Sequence, residues 1–97
     1  MISEQERTLI DSIDPDELVA LTRDLVRIDS VIRPETGNTE SKAVEFIAAW
    51  IRRVLCIEPL VEEVEPGRQN IIAAIDSGRA GPVLMLEGHT DVVSEGD

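Results

Sequence analysis

The stretch Pro82-Val83-Leu84-Met85-Leu86-Glu87-Gly88-His89-Thr90-Asp91 decides how this chain is read. Four apolar side chains in succession, residues 83–86, are bracketed by Gly81-Pro82 and by Gly88. A short apolar run between turn signals predicts a strand buried on both faces, as inside a helix-covered sheet. The run then delivers the only histidine of the sequence, His89, with Asp91 two residues on. In an extended chain, side chains at i and i+2 share a face, about 6.6 Å apart at ~3.3 Å of rise per residue. The Asp91 carboxylate is therefore expected where it can restrain the His89 ring. Open α/β sheets gather their chemistry at the carboxyl ends of strands, which is where this pair falls. A carboxylate that sets an imidazole's tautomer and raises its basicity is half of a common metal site. The same spacing also suits a satisfied histidine beside an ordinary aspartate in a strand-to-loop turn, and by itself it leaves both readings open.

Composition narrows the classes. A chain of 97 residues can form one small domain with a modest core, burying about 60% of the surface it exposes when unfolded. Twenty acidic residues against nine basic ones give a net charge of −11. That charge favours solubility and disfavours DNA, RNA and anionic membrane surfaces. One Phe, one Trp and no Tyr leave no aromatic platform for single-stranded nucleic acid. No nucleic-acid partner and no membrane partner is expected. Cys56 is the only cysteine, so no intrachain disulfide can form, which points to a reducing cytoplasm. It is expected to pack as a small buried hydrophobe. The opening Met1-Ile2-Ser3-Glu4-Gln5-Glu6-Arg7 carries acid where a signal peptide needs base, and no apolar span of membrane length follows.

Hydrophobic periodicity lays out the elements. A short helix is expected within residues 1–13. Asp14-Pro15-Asp16-Glu17 then combines a cap, a proline suited to the first helical position, and a capping-box acid. Leu18, Leu21, Leu25 and Ile28 recur at helical steps, predicting an amphipathic helix over about 15–29. Residues 30–38, with Pro34 and Gly37, read as a plain connector. Asn38 or Thr39 can cap the next helix, which runs to about Leu55. Its buried stripe is expected to comprise Ala43, Val44, Ile47, Trp50, Ile51, Val54 and Leu55. Strands are expected over 57–64, where Pro59 argues for an edge, over 70–75, and over 83–86. Turns at 65–69 and 77–81 separate them. Short turns favour antiparallel neighbours, so the predicted fold class is α/β, a mixed sheet with helices packed on it.

The string Leu84-Met85-Leu86-Glu87-Gly88-His89-Thr90-Asp91-Val92-Val93 resembles the first metal-ligand motif of the dinuclear-zinc amidohydrolases and peptidases. That family includes acetylornithine deacetylase, succinyl-diaminopimelate desuccinylase, aminoacylase and carboxypeptidase G. The resemblance extends more loosely through Leu25-Val26-Arg27-Ile28 and Pro66-Gly67-Arg68-Gln69-Asn70-Ile71-Ile72-Ala73, and so covers most of residues 16–97. It implies that His89 is a zinc ligand and that Asp91 is the catalytic-site carboxylate orienting its ring. It further implies two zinc ions, with cobalt as an alternative metal, and hydrolysis of the amide of an N-acyl amino acid or small peptide. A homodimer is a further implication. The family's bridging aspartate, its Glu-Glu pair, its further acidic ligand and its late histidine have no matching motif here. On this resemblance residues 1–97 are expected to be the N-terminal part of a zinc-peptidase-like catalytic domain, inactive in isolation.

Two other readings remain. A chain of this length can in principle be a complete small acidic α/β module that binds a protein partner without metal. A Ser94–His89–Asp91 nucleophilic triad is also conceivable, although such triads normally gather residues from separated elements. Glu87 and Asp97 are further acids near the histidine, and Glu87 is expected to face solvent or a loop.

Overall fold

In the computed structural model, residues 1–96 are described. Asp97 lies outside the described residues. Helix α1, Glu4–Asp11, is opened by Ser3. The Ser3 hydroxyl accepts from the Glu6 amide at 3.1 Å and the Glu6 carboxylate accepts from the Ser3 amide at 2.6 Å. This reciprocal box satisfies two amides that a helix start leaves open. Helix α2, Pro15–Val26, starts as the sequence predicts: Asp14 accepts from the amides of Asp16 at 3.0 Å and Glu17 at 3.4 Å, with Pro15 in the first turn. Neither helix contributes a fully buried residue. Leu18 is exposed, and Leu21, Leu25 and Ile28 are only half-buried, so the amphipathic stripe has no complete partner.

Helix α3, Ser41–Trp50, carries the core and runs directly into a π-helical turn, Ile51–Leu55. Ala43, Val44, Ala48 and Ile51 are buried, together with Val31. Ile47 and Trp50 are half-buried, while Val54 and Leu55 are exposed, so the expected stripe is buried only along its first half. The wider π turn rotates the last two apolar residues off the face that α3 presents. Cys56 ends the segment in the left-handed region at φ 57° and is exposed, contrary to the buried packing expected for it. Its backbone reversal carries the side chain outward. Arg52 then clasps Glu58 through both Nε and a terminal nitrogen (2.7–3.0 Å), tying the helix end to the following strand.

Strands β1, Leu60–Glu65, and β2, Arg68–Ile72, form a two-stranded antiparallel sheet. The register pairs Leu60 with Ile72 and Glu62 with Asn70, with a bulge between Glu63 and Glu65. Continuing that register would set Pro59 opposite Ala73. Proline has no amide to donate, which explains why β2 stops at Ile72 rather than at the expected 75. Pro59 itself is buried just before the strand. β2 packs toward α3, and its Arg68, Gln69 and Ile71 are half-buried. The fold class is α/β as expected, with helices against an antiparallel sheet.

The third expected strand is the main correction. Residues 83–86 pair with no strand among the described residues, and Val83 and Leu84 are 94% and 83% exposed. An apolar run is held as a buried strand only where neighbours supply hydrogen bonds on both sides. The next backbone pairing is at Val92, which makes an isolated parallel bridge to Val31. The overall radius of gyration is 16.5 Å, against about 13 Å for a compact chain of 100 residues.

The hairpin turn docks on the start of α3. Gly67 sits at φ +76°, and a Cβ there would meet Thr39 Cγ2 and Oγ1 at 3.1 Å. Gly67→Ala should therefore lower stability by roughly 1–3 kcal/mol, measured by urea denaturation. The bare apolar run carries a second expectation, because unpaired apolar chain seeks a partner. Sedimentation velocity should show concentration-dependent association, reduced by Leu84→Lys.

Candidate functional site

His89 and Asp91 are brought together, as their spacing predicts. The His89 Nδ1 lies 2.8 Å from the main-chain oxygen of Asp91 and 3.4 Å from its Oδ1. The shorter contact is to the carbonyl, so the backbone of Asp91 grips the ring more closely than its side chain does. A carbonyl oxygen only accepts, so Nδ1 must carry the ring hydrogen and donate it. In the neutral ring Nε2 is then left with a free lone pair, the form an imidazole needs to bind a metal ion. The His89 side chain is 83% exposed. Its free nitrogen is thus open to a ligand from outside the segment.

The Asp91 carboxylate has a second neighbour. Arg68, at the start of β2, places a terminal guanidinium nitrogen 3.8 Å from Oδ2. Its Nε donates to Glu40 Oε1 at 2.8 Å. Glu40 is the residue immediately before α3 and is buried, its side chain 7% exposed. It makes no capping bond to the helix, and Thr39 instead accepts from the Ser41 amide at 3.3 Å. The bond to Glu40, followed by the fields of Glu40 and Asp91, raises the Arg68 pKa above its already high ordinary value. Arg68 is a permanent cation between two carboxylates. Sequence reading took Arg68 for part of a turn, and nothing in its local pattern announced a partner 28 residues away.

The connector at 30–38 also turns out to be part of the site's support. Val92 donates to the Ser30 carbonyl at 3.4 Å, the hydrogen bond behind the Val31–Val92 bridge. Asn38 is not a helix cap: its Nδ2 donates to the carbonyls of Val31 at 2.7 Å and Asp29 at 3.3 Å. Asp29 accepts from the Val31 amide and pairs with Arg33, and Arg33 approaches Glu95 at 3.7 Å. The loop is thus folded on itself and meets the segment after His89 at Val92 and Glu95, while Arg68 meets it at Asp91.

The remaining candidates do not converge. Cys56 and Glu87 are exposed, with Cys56 beyond the far end of α3. Among the described residues, no three His, Cys, Asp or Glu side chains gather as a metal-binding group. The donor chemistry fits one ligand of a metal site and its orienting partner, whereas a catalytic zinc usually takes three protein ligands. Ser94 is exposed and makes no hydrogen bond to His89 among the described residues, so the triad arrangement is not assembled.

Comparison with known proteins now bears on this geometry. Over 82 residues, 81% of the chain, it is 40% identical to a succinyl-diaminopimelate desuccinylase of Methylobacterium nodulans. Over 72 residues, 71% of the chain, it is 38% identical to an acetylornithine deacetylase of Vibrio atlanticus. The chain is related to these deacetylases and desuccinylases. A succinyl-diaminopimelate desuccinylase of Methylorubrum extorquens is 42% identical over 82 residues. The chain spans about a fifth of the length of these relatives, 18–20%. No family model matches the chain, and no solved structure does. No helix among the described residues is long and apolar enough to cross a membrane.

The Asp29 contacts carry a pH dependence. The Val31 amide, then Arg33, hold the Asp29 carboxyl below the usual aspartate range. A folded-state pKa below the unfolded value contributes stability that is present above the unfolded pKa and lost as pH falls through the folded one. Asp29→Asn should accordingly weaken the loop at neutral pH. In urea denaturation its difference from wild type should shrink in acid, below the ordinary aspartate pKa.

Proposed function

We propose that this chain forms the N-terminal part of the catalytic domain of a metal-dependent amidohydrolase, with His89 as a metal ligand and Asp91 as the residue that orients it. One observation carries the reading. A ring pinned through Nδ1, with Nε2 bare and exposed, ends the apolar run of a chain 40% identical to a desuccinylase over 82 residues. The favoured metal is zinc, two ions in the complete site, with cobalt as a substitute. Bound there, the metal pair would supply an activated water and charge stabilisation for the oxyanion. The substrate class is the amide of an N-acyl amino acid or small peptide, in keeping with relatives named for acetylornithine and succinyl-diaminopimelate. The remaining ligands and the general base must come from other residues of the functional enzyme, and residues 1–97 alone would not turn over substrate. A homodimeric enzyme in a reducing cytoplasm completes the reading.

The contribution of the chain's own residues can be stated without the metal. The Asp91 carbonyl holds the hydrogen of His89 on Nδ1, and so selects the tautomer whose Nε2 can ligate. The negative carboxylate beside the ring makes Nε2 a stronger donor. Arg68 in turn pairs with that carboxylate, at 3.8 Å from Oδ2.

A self-sufficient acidic interaction module would have to close a core of its own. The described residues instead leave residues 83–86 bare and both N-terminal helices without a buried residue. That pattern favours a segment whose apolar faces are covered by further structure.

Because His89 is the sole histidine, its ring resonances report metal binding without ambiguity. Zinc added to the 97-residue chain should shift them with weak affinity, and Asp91→Ala, which removes the carboxylate but leaves the main-chain carbonyl, should weaken that affinity by about tenfold. In the longer enzyme, His89→Ala should reduce amide hydrolysis to background. Near-normal turnover of that variant would remove the assignment.

A further inference from the structure

The orientation of the His89–Asp91 pair has a support that lies in neither residue. Thr90 and Asp91 are half-buried within an otherwise exposed segment that belongs to no strand among the described residues. Two contacts tie this segment to the body of the fold near Asp91. One is the Val92 amide on the Ser30 carbonyl, at 3.4 Å. The other is Arg68, whose guanidinium reaches Asp91 Oδ2 at 3.8 Å while its Nε is bonded to Glu40 at 2.8 Å.

Glu40 makes this second tie unusual. It is a buried residue immediately before α3, its side chain 7% exposed, and that side chain does not cap the helix that begins there. One of its oxygens is bonded to Arg68, and the other, Oε2, is buried with no hydrogen-bond partner. Burying a charge is tolerated when it is paired and bonded, and leaving one lone pair of such a group unmet is costly. A residue with no capping role, buried at such a cost, is well placed to fix the guanidinium in space. The hairpin geometry serves the same end. Gly67 lets the turn close onto Thr39, the residue beside Glu40, and so sets Arg68 against both carboxylates.

We infer that Arg68, anchored by buried Glu40, is a positioning residue for the His89–Asp91 pair: it holds the Asp91 carboxylate so that the Asp91 carbonyl faces Nδ1 and Nε2 is presented as the ligating atom. The inference deepens the metal-ligand reading and rests on it for its purpose, but its geometric core concerns the metal-free chain. Arg68 acts through Asp91 and touches neither metal nor substrate. A lysine at 68 would keep the charge and lose the forked geometry that lets one side chain serve two carboxylates.

The test uses the 97-residue chain, labelled with ¹⁵N, and reads the tautomer of the one histidine from long-range ¹H–¹⁵N correlations at a pH where the ring is neutral. Wild type should show the hydrogen mainly on Nδ1. Arg68→Ala should move the population toward Nε2–H and weaken zinc binding by about tenfold. Glu40→Gln should shift both in the same direction but less, and Arg68→Lys should recover part of the loss. Arg52→Ala, which removes a charge from the Glu58 clasp instead, should change neither. Unchanged tautomer and zinc affinity in Arg68→Ala would overturn the inference. Should that variant fail to fold, wild-type behaviour of folded Glu40→Gln and Arg68→Lys would overturn it equally. The two readings fail separately. Zinc that leaves the wild-type His89 resonances unmoved would sink the metal assignment, while the tautomer comparison would still decide the role of Arg68.

Discussion

The ion pair between Glu40 and Arg68 is the constraint on which the arrangement turns. It joins the residue just before α3, the helix that carries the buried core, to the first residue of the second strand, across 28 positions of sequence. An exposed ion pair contributes little to stability, because water already solvates both partners well. This one has a buried carboxylate, so breaking it would leave a charge stranded out of water, which is far more costly. The pair also lies where the hairpin turn closes on Thr39 over a glycine, so the start of the helix and the hairpin turn are fastened together there. From that point Arg68 extends to Asp91, and through Asp91 the histidine is oriented.

The site is therefore built differently from a strand-end site in a closed sheet. Residues 83–86 run bare into it, and the ordering of His89 comes from contacts on its far side, through Val92, Ser30 and Arg68. The loop at 30–38, with its Asn38 bonds to two carbonyls, provides one wall of that support. A ring held at Nδ1 and open at Nε2 has the donor chemistry of one ligand, and the chain that carries it is similar to deacetylases and desuccinylases. The exposed apolar run goes with the extended dimensions of the chain.

Local chemistry explains what could be read in advance. Asp14 and Pro15 start α2 because a short acceptor and a fixed φ satisfy a helix N-terminus whatever else is near. The Ser3 box at α1 has the same local origin, a serine followed three residues later by glutamate. The switch from helical to alternating period near Cys56 located the hairpin, and Pro59 limited its length through the register. The proximity of His89 and Asp91 followed from spacing alone.

What periodicity could not supply was partnership. An apolar run such as residues 83–86 states what would be stable if covered, and whether a neighbour covers it depends on residues distant in sequence. The same holds for Cys56, whose burial was undone by a left-handed backbone, and for α2, whose stripe found no complete partner. By itself the sequence determined the helix starts, the hairpin, the closeness of one histidine to one aspartate, and the family kinship, because each rests on residues adjacent in the chain or on a string of them. Only the tertiary structure decided that Arg68 stands between Glu40 and Asp91 and that the connector braces Val92. Such long-range ion pairs and bridges leave no local periodicity, and they form only once the hairpin has closed onto the helix start.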